Sequence, residues 1–306
     1  MKKILITGSS GFIGKNLINY LNRELYNIIP FSRANGFDYN QLDYNYLNKE
    51  SITSIVHLAG KAHDLKSVLN EQDYFNTNTN LTIKIFDAFL NSNAKSFIFF
   101  SSVKAVKDHL DYTLTEDTKP SPISAYGKSK LSAENYILSK LKSTDKQVFI
   151  FRPCLINGPG NKGNLTLLYN LVSKNFPWPL GAFCNKRSFC SIDNLCFIVG
   201  EFLERHDFSS GIYNIADDEP ISTNDIIKLI GESINKKSLI IPINKYVIRI
   251  LAKFGDVFKL PLNSDRLTKL TESYIVSNAK IKITIGKELP ISTRAGLIKT
   301  FQSFIK

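Results

Sequence analysis

A glycine-rich turn near the start of the chain places the strongest constraint on its fold. The segment Thr7–Gly14 (TGSSGFIG) follows a short β-rich run, Lys3–Thr7, and precedes helical apolar spacing over Phe12–Leu25. Glycines let a chain turn tightly and bring backbone N–H groups close to a pyrophosphate, and the start of a helix adds partial positive charge. The spacing is GxxGxxG rather than GxGxxG, so a purely structural turn is the alternative. The turn predicts a dinucleotide site with contacts from six residues: Gly8, Ser10, Gly11, Phe12, Ile13 and Gly14.

Strand and helix signals alternate through the first half of the chain. Helical stretches at Asp73–Asn91 and Ala125–Leu141 lie among four further short apolar runs: Asn27–Phe31, Ser54–Leu58, Ser96–Ser101 and Gln147–Phe151. Strands that alternate with helices indicate parallel pairing, and continuous apolar runs are typical of strands covered on both faces. The pattern predicts an α/β fold with a Rossmann-type, doubly wound parallel sheet.

The pattern changes after Arg152-Pro153. A loop signal at Asn157–Asn161 is followed by a mixture of helices and short strands interrupted by prolines. We therefore predict a dinucleotide-binding domain over 1–160 and a smaller, less regular α/β region over 161–306, for which the family resemblance described below implies substrate binding. One strand near Gly211–Ala216 is expected to return to the first sheet.

Composition excludes several classes of protein. The 306 residues are 43% hydrophobic and 22% charged, which is typical of a globular chain that buries a core without disulfides. The apolar run at the start is too short for a signal peptide, and no window is long enough to span a bilayer, so a cytoplasmic location is expected. The net charge of +12 favours anionic partners, but the lysines are spread and no nucleic-acid module appears. The cysteines form no CxxC pair and no metal site is predicted: Cys154, Cys184, Cys190 and Cys196.

The end of the second apolar run carries information about the dinucleotide. An NAD site usually has an acidic residue about 20 positions past the glycines, bonded to the ribose 2′-hydroxyl, whereas NADP sites can use an arginine. No acid occurs between Glu24 and Asp38, and Arg33 stands at the expected place. The sequence therefore favours NADP over NAD, with NAD binding beside a solvated Arg33 as the alternative.

Tyr126 and Lys130 are the candidate reacting groups. They are four residues apart and hence share one helix face. An ammonium near a phenol lowers the pKa of the phenol, which can then exchange a proton with a substrate alcohol or carbonyl. Tyr136 and Lys140 have the same spacing, but a helix-start signal precedes Tyr126 and Ser102 ends an apolar strand upstream. A serine hydroxyl there can hydrogen-bond the reacting oxygen.

Five motifs occur in order and carry a family resemblance: TGxxGxxG, HLAG (His57–Gly60), FFSSVK (Phe99–Lys104), YGKSK (Tyr126–Lys130) and RPCLINGPG (Arg152–Gly160). The chain resembles an extended short-chain dehydrogenase/reductase of the NAD(P)-dependent epimerase/dehydratase family along essentially its whole length. The resemblance implies a catalytic group of Ser102, Tyr126 and Lys130, with Ser101 as the alternative serine. It also implies cofactor contacts from Lys130 and from the HLAG segment, at Leu58, Ala59 and Gly60. Asn78 matches a structural and proton-relay asparagine of the family.

The resemblance also implies a substrate, because the carboxyl-terminal part of such proteins binds a nucleotide-diphosphate sugar. Asn164 matches a residue that meets the sugar diphosphate, and Arg187 matches one that faces the nucleotide phosphates. Arg266 is a further candidate of the same kind, and an arginine fork suits a diphosphate. A loop-capping asparagine and solvated arginines are the alternatives. Asp193 matches a helix-capping position.

A narrower resemblance concerns the reaction. Four segments are similar to UDP-glucose 4-epimerase-like proteins that include reductases of UDP-4-keto-6-deoxy-N-acetylhexosamines for surface polysaccharides: His57–His63, Ser101–Lys104, Lys162–Asn164 and Pro177–Gly181. Arg33 favours the reductase, because external NADPH suits a net reduction. A UDP-hexose 4-epimerase would use the same residues. A 4,6-dehydratase is disfavoured because Val103 and Lys104 follow Ser102, and a non-catalytic dinucleotide sensor is the alternative from another class. A homodimer is compatible with the resemblance.

One apolar segment, Ile240–Phe258, does not belong to any of these motifs. It is partly amphipathic and could contact a membrane. Its cations are evenly spread, so a lid or core helix of the smaller region is the favoured interpretation.

Overall fold

The strands of this protein come mostly from the first half of the chain. The computed structural model describes residues 1–21, 24–61, 70–161, 163–258 and 262–305. Eight strands lie within these ranges: β1 Lys2–Thr7, β2 Tyr26–Phe31, β3 Ser54–His57, β4 Ser96–Phe100, β5 Gln147–Pro153, β6 Leu155–Asn157, β7 Phe189–Ser191 and β8 Gly211–Ile215.

Helices separate the strands and make up most of the carboxyl-terminal part. The described residues contain twelve α-helices: α1 Phe12–Tyr20, α2 Tyr44–Lys49, α3 Glu71–Tyr74, α4 Leu81–Leu90, α5 Ala125–Leu141, α6 Asn164–Ser173, α7 Ile192–Glu204, α8 Thr223–Ser233, α9 Lys245–Phe258, α10 Ser264–Thr271, α11 Ala279–Ile285 and α12 Thr293–Gln302. A π-helical turn over Phe75–Asn80 joins α3 to α4, so the predicted helix Asp73–Asn91 is interrupted. None of the helices in the described ranges is long and apolar enough to cross a bilayer.

Six parallel strands form the main sheet in the order β2-β1-β3-β4-β5-β8. The chain runs outward from β1 to β2 and then returns past β1 to β3. In open α/β sheets, ligands bind at the carboxyl edge beside such a reversal. The predicted doubly wound parallel sheet is confirmed, and its edge at Thr7 and His57, which pair with each other, is where a ligand site is expected.

The main sheet is covered on both faces. Ile4 and Ile6 of β1 belong to one buried cluster, which takes in residues of α1 and α7, whereas Leu5 belongs to another that takes in residues of α2, α4 and α5. Successive side chains of a strand point to opposite faces, so one continuous apolar run supplies both layers. Strand β8 belongs to this sheet and α7 packs on one of its faces, although both follow residue 160.

A third buried cluster holds the carboxyl-terminal helices together. It joins residues from α6, α8, α9, α10 and α12 around Trp178. A two-stranded parallel sheet of β6 and β7 lies after the end of β5. The fold therefore sets a helical layer beside the carboxyl edge of the main sheet, and its residues are candidates for substrate contacts.

Candidate functional site

The glycine-rich turn joins β1 to α1 with close backbone packing. Gly8 has a left-handed backbone (φ +67°), and a Cβ at Gly8 would lie 2.7 Å from the Ala59 nitrogen. A Cβ at Gly14 would lie 2.7 Å from the Gly8 carbonyl oxygen. Helix α1 begins without a side-chain cap and without an acidic residue in its first turn. Its first N–H groups therefore have no competing side-chain acceptor at Gly11, which suits an anionic ligand.

The other predicted residues of the turn lie at the same helix start. Ser10 and Gly11 are exposed, and Phe12 and Ile13 are half-buried in the first turn of α1. This exposure leaves the start of α1 accessible to a pyrophosphate. The turn thus fits the phosphates of a dinucleotide on its own geometry.

The end of β2 carries the groups that would meet the adenosine ribose. Arg33 is exposed in a 3₁₀ turn directly after the strand. The neighbouring Ser32 hydroxyl is buried and has no hydrogen-bond partner. Asn35 Nδ2 donates to Ser9 Oγ at 3.3 Å, which ties this turn to the glycine turn. Sequence reasoning identified Arg33 and missed Ser32, although the two are adjacent.

A buried histidine holds the carboxyl ends of β1 and β3 together. His57 Nδ1 lies 2.7 Å from Thr7 Oγ1, and its Nε2 lies 2.9 Å from Thr82 Oγ1. Burial lowers the pKa of His57 to about 3, so the ring is neutral. The Ala59 N–H donates to Thr7 Oγ1 at 3.2 Å. These contacts position the HLAG segment: Leu58 is half-buried, Ala59 buried and Gly60 exposed at the edge.

Ser102, Tyr126 and Lys130 meet at the same edge. Ser124 caps α5 by accepting from the Gly127 N–H at 3.2 Å, which places Tyr126 in the first turn of the helix. The hydroxyls of Ser102 and Tyr126 are hydrogen-bonded. Lys130 Nζ donates to the Phe100 carbonyl at 2.8 Å. The same nitrogen would lie 3.1 Å from a Cβ at Gly60. Ser102, which follows β4, therefore lies with Tyr126 and Lys130 of α5 at one edge of the sheet, beside Gly60.

Burial dominates the pKa values of this group. It raises the pKa of the Tyr126 phenol, and the Ser102 hydrogen bond only partly offsets it. The effect of Lys130 on the pKa of Tyr126 stays a prediction. The Lys130 ammonium is held at the Phe100 carbonyl, and burial lowers its own pKa to about 8 despite the opposing charge of Glu134.

A buried ion pair beneath the reacting residues distinguishes the two serines. Ser101 Oγ donates to Glu134 Oε1. Arg152 also donates to this carboxylate, from Nε at 2.9 Å and from Nη2 at 2.5 Å. Ser102, rather than Ser101, is therefore the serine that reaches Tyr126. Sequence reasoning missed Glu134, whose signal is its position four residues after Lys130 on α5.

Asn78 connects the loop after β3 to α5. It lies in the π-helical turn and accepts from the Lys61 N–H at 2.8 Å. Its Nδ2 donates to the Lys61 carbonyl and to Ser129 Oγ, both at 3.1 Å. Asn78 is thus buried and fully engaged in holding backbone and helix around the position of Gly60.

Arg187 lies on the carboxyl-terminal side of the site. Its Nη1 donates to the Lys269 carbonyl at 2.6 Å, and its Nη2 lies 3.4 Å from Glu272 Oε1. Its Nε is buried without a partner. Burial lowers the pKa of Arg187, but a guanidinium remains charged. Arg187 therefore has a donor available for a ligand oxygen.

Lys104 links this arginine to the reacting residues, and sequence reasoning assigned it no role. It stands two residues after Ser102, and its Nζ lies 4.3 Å from the centre of the Tyr274 ring. Burial lowers the pKa of Lys104, and the positive charges of Arg187 and Lys269 lower it further. The negative charges of Glu272 and Asp108 act in the opposite direction. Lys104 Nζ also donates to the Asp108 carbonyl at 2.5 Å. The two cations Lys104 and Arg187 thus lie with the acids Glu272 and Asp108 between Ser102 and α10.

The other two predicted substrate residues, Arg266 and Asn164, lie in helices, whereas Arg187 does not. Arg266 is an exposed residue of α10, and its backbone N–H donates to Asn263 Oδ1 at 2.9 Å. Asn164 is the first residue of α6, and its side chain lies outside the described residues, as do Ala62, His63 and Lys162. No cluster of potential metal ligands occurs among the residues that the structure describes.

A Rossmann-type sheet whose glycine turn suits a pyrophosphate, with Ser102, Tyr126 and Lys130 at the same edge, is the arrangement of a dinucleotide-dependent enzyme. Residues 4–216 match the NAD dependent epimerase/dehydratase family, so the chain belongs to this family. It is an NAD(P)-dependent nucleotide-sugar enzyme of the extended short-chain dehydrogenase/reductase type, and nicotinamide dinucleotide is its cofactor.

Relatives match the chain from end to end. It is 30% identical to a UDP-glucose 4-epimerase from Vibrio cholerae, with 100% of this chain and 96% of that protein covered. It is 25% identical to N-acetyl-alpha-D-glucosaminyl-diphospho-ditrans,octacis-undecaprenol 4-epimerase from Escherichia coli O157:H7, over 98% and 94% of the two chains. The solved UDP-N-acetylglucosamine 4-epimerase from Bacillus cereus has the same fold, with a TM-score of 0.77, 18% identity, and 100% and 99% of the two chains covered.

Proposed function

We propose that this protein reduces C4 of a nucleotide-diphosphate sugar, with a UDP-4-keto-6-deoxy-N-acetylhexosamine for surface polysaccharide as the best candidate substrate. The observation that carries the proposal is the hydrogen-bonded pair of Ser102 and Tyr126 beside Lys130, at the sheet edge next to the glycine turn. In this proposal residues 161–306, apart from the segment that returns to the sheet, add substrate contacts to those of Ser102, Lys104 and Tyr126.

Each reacting residue has a separate task in this proposal. When bound, the nicotinamide supplies the hydride to C4. Tyr126 gives its proton to the C4 oxygen, and Ser102 donates a hydrogen bond that orients this oxygen. Lys130, held by the Phe100 carbonyl, binds the nicotinamide ribose. Asn78 keeps the loop and α5 in register without contacting the reacting atoms.

One observation favours reduction over epimerisation, and the state of Tyr126 is compatible with it. Burial raises the pKa of Tyr126, and a protonated phenol is the acid that a new alkoxide needs. Arg33 and the unpartnered Ser32 hydroxyl directly follow β2, the strand after which NADP sites can carry an arginine, and an arginine suits a phosphate. A consumed NADPH suits a net reduction.

UDP-hexose 4-epimerisation is the second candidate, and the full-length similarity to the Vibrio cholerae enzyme favours it. The same residues would then act in both directions. Tyr126 would take the proton from the C4 hydroxyl and later return it, while the keto sugar turned over within the site. The epimerase must retain its hydride through the cycle.

The diphosphate is proposed to bind between Lys104 and Arg187. The unpartnered Nε of Arg187 supplies a charge-assisted donor, and Lys104 adds positive charge beside Ser102. Asn164 and Arg266 remain proposed contacts of the same substrate. A sugar on polyprenyl diphosphate, such as the Escherichia coli relative is named for, carries the same diphosphate and belongs in the assays.

One experiment separates the candidates. Purified protein is denatured and the supernatant assayed for released nicotinamide dinucleotide. Stoichiometric NAD identifies the epimerase and contradicts the proposed role of Arg33. A site that is empty and prefers NADPH over NADH supports the reductase, which is then assayed with UDP-4-keto-6-deoxy sugars. Turnover that is unchanged in Tyr126→Phe would contradict both the reductase and the epimerase. A parent protein that binds the dinucleotide but shows no turnover would favour a sensor.

A further inference from the structure

Helix α9 is attached to the protein by only a narrow face. Its buried residues are Ile248, Ala252 and Gly255, which lie on one side of the helix. Gly255 packs so closely against the Leu262 carbonyl that a Cβ there would overlap it. Ile248 and Ala252 join the carboxyl-terminal core. The rest of the helix surface therefore faces away from the described protein.

Most of that outward surface is apolar. Val257 is 74% exposed and Phe254 55%, and seven large side chains of the helix share this exposure: Tyr246, Val247, Ile250, Leu251, Phe254, Val257 and Phe258. We call this set the apolar face. Exposed apolar clusters of this extent mark sites of interaction, because their contact with water is unfavourable. One side of α9 thus joins the core, as a core helix would, and the other side has no apolar partner among the described residues.

A row of cations borders the apolar face. Lys245, Arg249 and Lys253 follow one another at intervals of four residues, and all three are exposed. Residues four apart lie on one side of a helix, so the cations form a single basic edge and are not evenly spread. Asp256, the one acidic residue of α9, accepts from the Ser264 N–H at 2.9 Å and from Ser264 Oγ at 2.5 Å. These bonds lower the pKa of Asp256, so it stays charged on the same side of α9, and the basic edge keeps an excess of positive charge.

We propose that the apolar face of α9 docks on the surface of a bilayer that contains anionic lipids. An apolar face bordered by lysine and arginine is the pattern of a helix that lies in the membrane interface. The basic edge and the net charge of +12 are complementary to anionic headgroups, and each cation near such a surface adds attraction. A second copy of the chain carries the same net positive charge, so charge complementarity favours the anionic surface as the partner.

The docking helix is close to the substrate side of the site. α9 packs against α10, and the Lys269 carbonyl of α10 accepts the hydrogen bond from Arg187. A protein docked through α9 would therefore hold its diphosphate-binding side near the membrane surface. The proposal concerns the surface alone and stands whether the reaction is a reduction or an epimerisation.

Vesicle flotation with the full chain tests the proposal. The probes are vesicles of phosphatidylcholine alone and of phosphatidylcholine mixed with phosphatidylglycerol. We expect the protein to float with the mixed vesicles, to float less with neutral ones, and to be released as salt is raised. The double variant Arg249→Gln/Lys253→Gln should reduce binding to mixed vesicles by roughly 30-fold, since each cation contributes about one factor of five.

A second variant tests the apolar contribution. Ile250→Gln/Phe254→Gln should weaken binding by roughly tenfold or more per side chain. The matched control, Leu167→Gln/Ile283→Gln, changes exposed apolar residues of α6 and α11 and should bind as the parent does. All substituted positions are exposed, and circular dichroism checks that the variants fold.

Two outcomes would overturn the proposal. One is a parent protein that stays with neither vesicle type at low salt. The other is a parent that is dimeric by light scattering and becomes monomeric in Ile250→Gln/Phe254→Gln, which would assign the apolar face to a second copy of the chain. Equal loss of binding in the Leu167→Gln/Ile283→Gln control would also contradict a specific role for α9.

Discussion

The sheet edge and the carboxyl-terminal arginine side of the site differ in how their polar groups are paired. At the sheet edge, both ring nitrogens of His57 have partners and Asn78 makes three hydrogen bonds. On the other side, Arg187 leaves a buried donor unpartnered and shares its surroundings with Lys104. The side chains of His57 and Asn78 are thus held in place by the protein itself, whereas Arg187, the proposed recognition residue, keeps one donor, Nε, for a ligand oxygen.

The strongest test of the positioned side replaces Tyr126 by phenylalanine. Because the change removes the only proposed proton donor, we expect turnover to fall by about 10²–10⁴-fold with dinucleotide affinity retained. Steady-state kinetics and cofactor titration measure this. Tyr136→Phe is the matched control, since Tyr136 has the same spacing to a lysine but bonds Asp87 at 2.6 Å. An equal loss in both variants would mean that Tyr126 is only structural.

Glu134→Gln tests whether that side depends on its buried ion pair. The substitution leaves the Arg152 charge buried without its counter-charge, so we expect the free energy of unfolding to fall by about 3–5 kcal/mol. Urea denaturation measures the change. Glu232→Gln breaks an exposed pair with Arg294 and should cost less than about 1 kcal/mol. Similar losses in the two variants would contradict the difference in burial.

Acid should weaken the sheet edge through His57. Its pKa is about 3 in the folded protein and 6.5 in the unfolded chain, so between these values only the unfolded chain binds a proton. Stability should therefore fall as pH drops below 6.5, by up to about 1.4 kcal/mol per pH unit from this residue. Urea denaturation of the parent and of His57→Gln compares the slopes. Identical slopes would exclude His57 as the cause.

On the recognition side, Arg187→Gln should raise KM for the sugar substrate by about 10- to 100-fold and change kcat little, because a charge-assisted hydrogen bond is lost. Arg294→Gln, which removes an exposed arginine elsewhere, should leave KM unchanged. A fall in kcat with constant KM would show that Arg187 helps to position the reacting residues and does not bind the sugar substrate.

The smallest expected effect concerns the dinucleotide. Arg33→Gln should weaken NADPH binding by about tenfold and leave NADH binding unchanged, since only the former carries a phosphate at the ribose. Fluorescence titration with both dinucleotides measures this, and Lys128→Gln on the exposed side of α5 is the control. Equal weakening of both dinucleotides would contradict the assignment to a 2′-phosphate.

Much of this architecture was predictable because its signals are local. The glycine turn, the alternation of strands with helices and the spacing of Tyr126 and Lys130 each follow from periods of a few residues. The bounds of α5, Ala125–Leu141, agree with the predicted helix because a capping serine and regular apolar spacing mark them. The predicted helix over Phe12–Leu25 is too long. Helix α1 ends at Tyr20, and the chain must leave the helix before β2 begins at Tyr26.

The remaining features depend on contacts between residues far apart in the chain. Burial, which no local pattern measures, raises the pKa of Tyr126 against the predicted effect of Lys130. The side of α9 that lacks a partner emerges only once the core has taken Ile248 and Ala252.

By itself the sequence determined the family and the parallel sheet, and it identified Tyr126 and Lys130 as the candidate reacting residues. Short-range periodicity and the order of the motifs carry this information. The tertiary structure decided which serine meets Tyr126, since Glu134 and Arg152 engage Ser101 from other elements. It also brought Arg187 and Lys104 close enough to act on each other. Such choices depend on packing and desolvation across long sequence separations, and these arise only when the chain is folded.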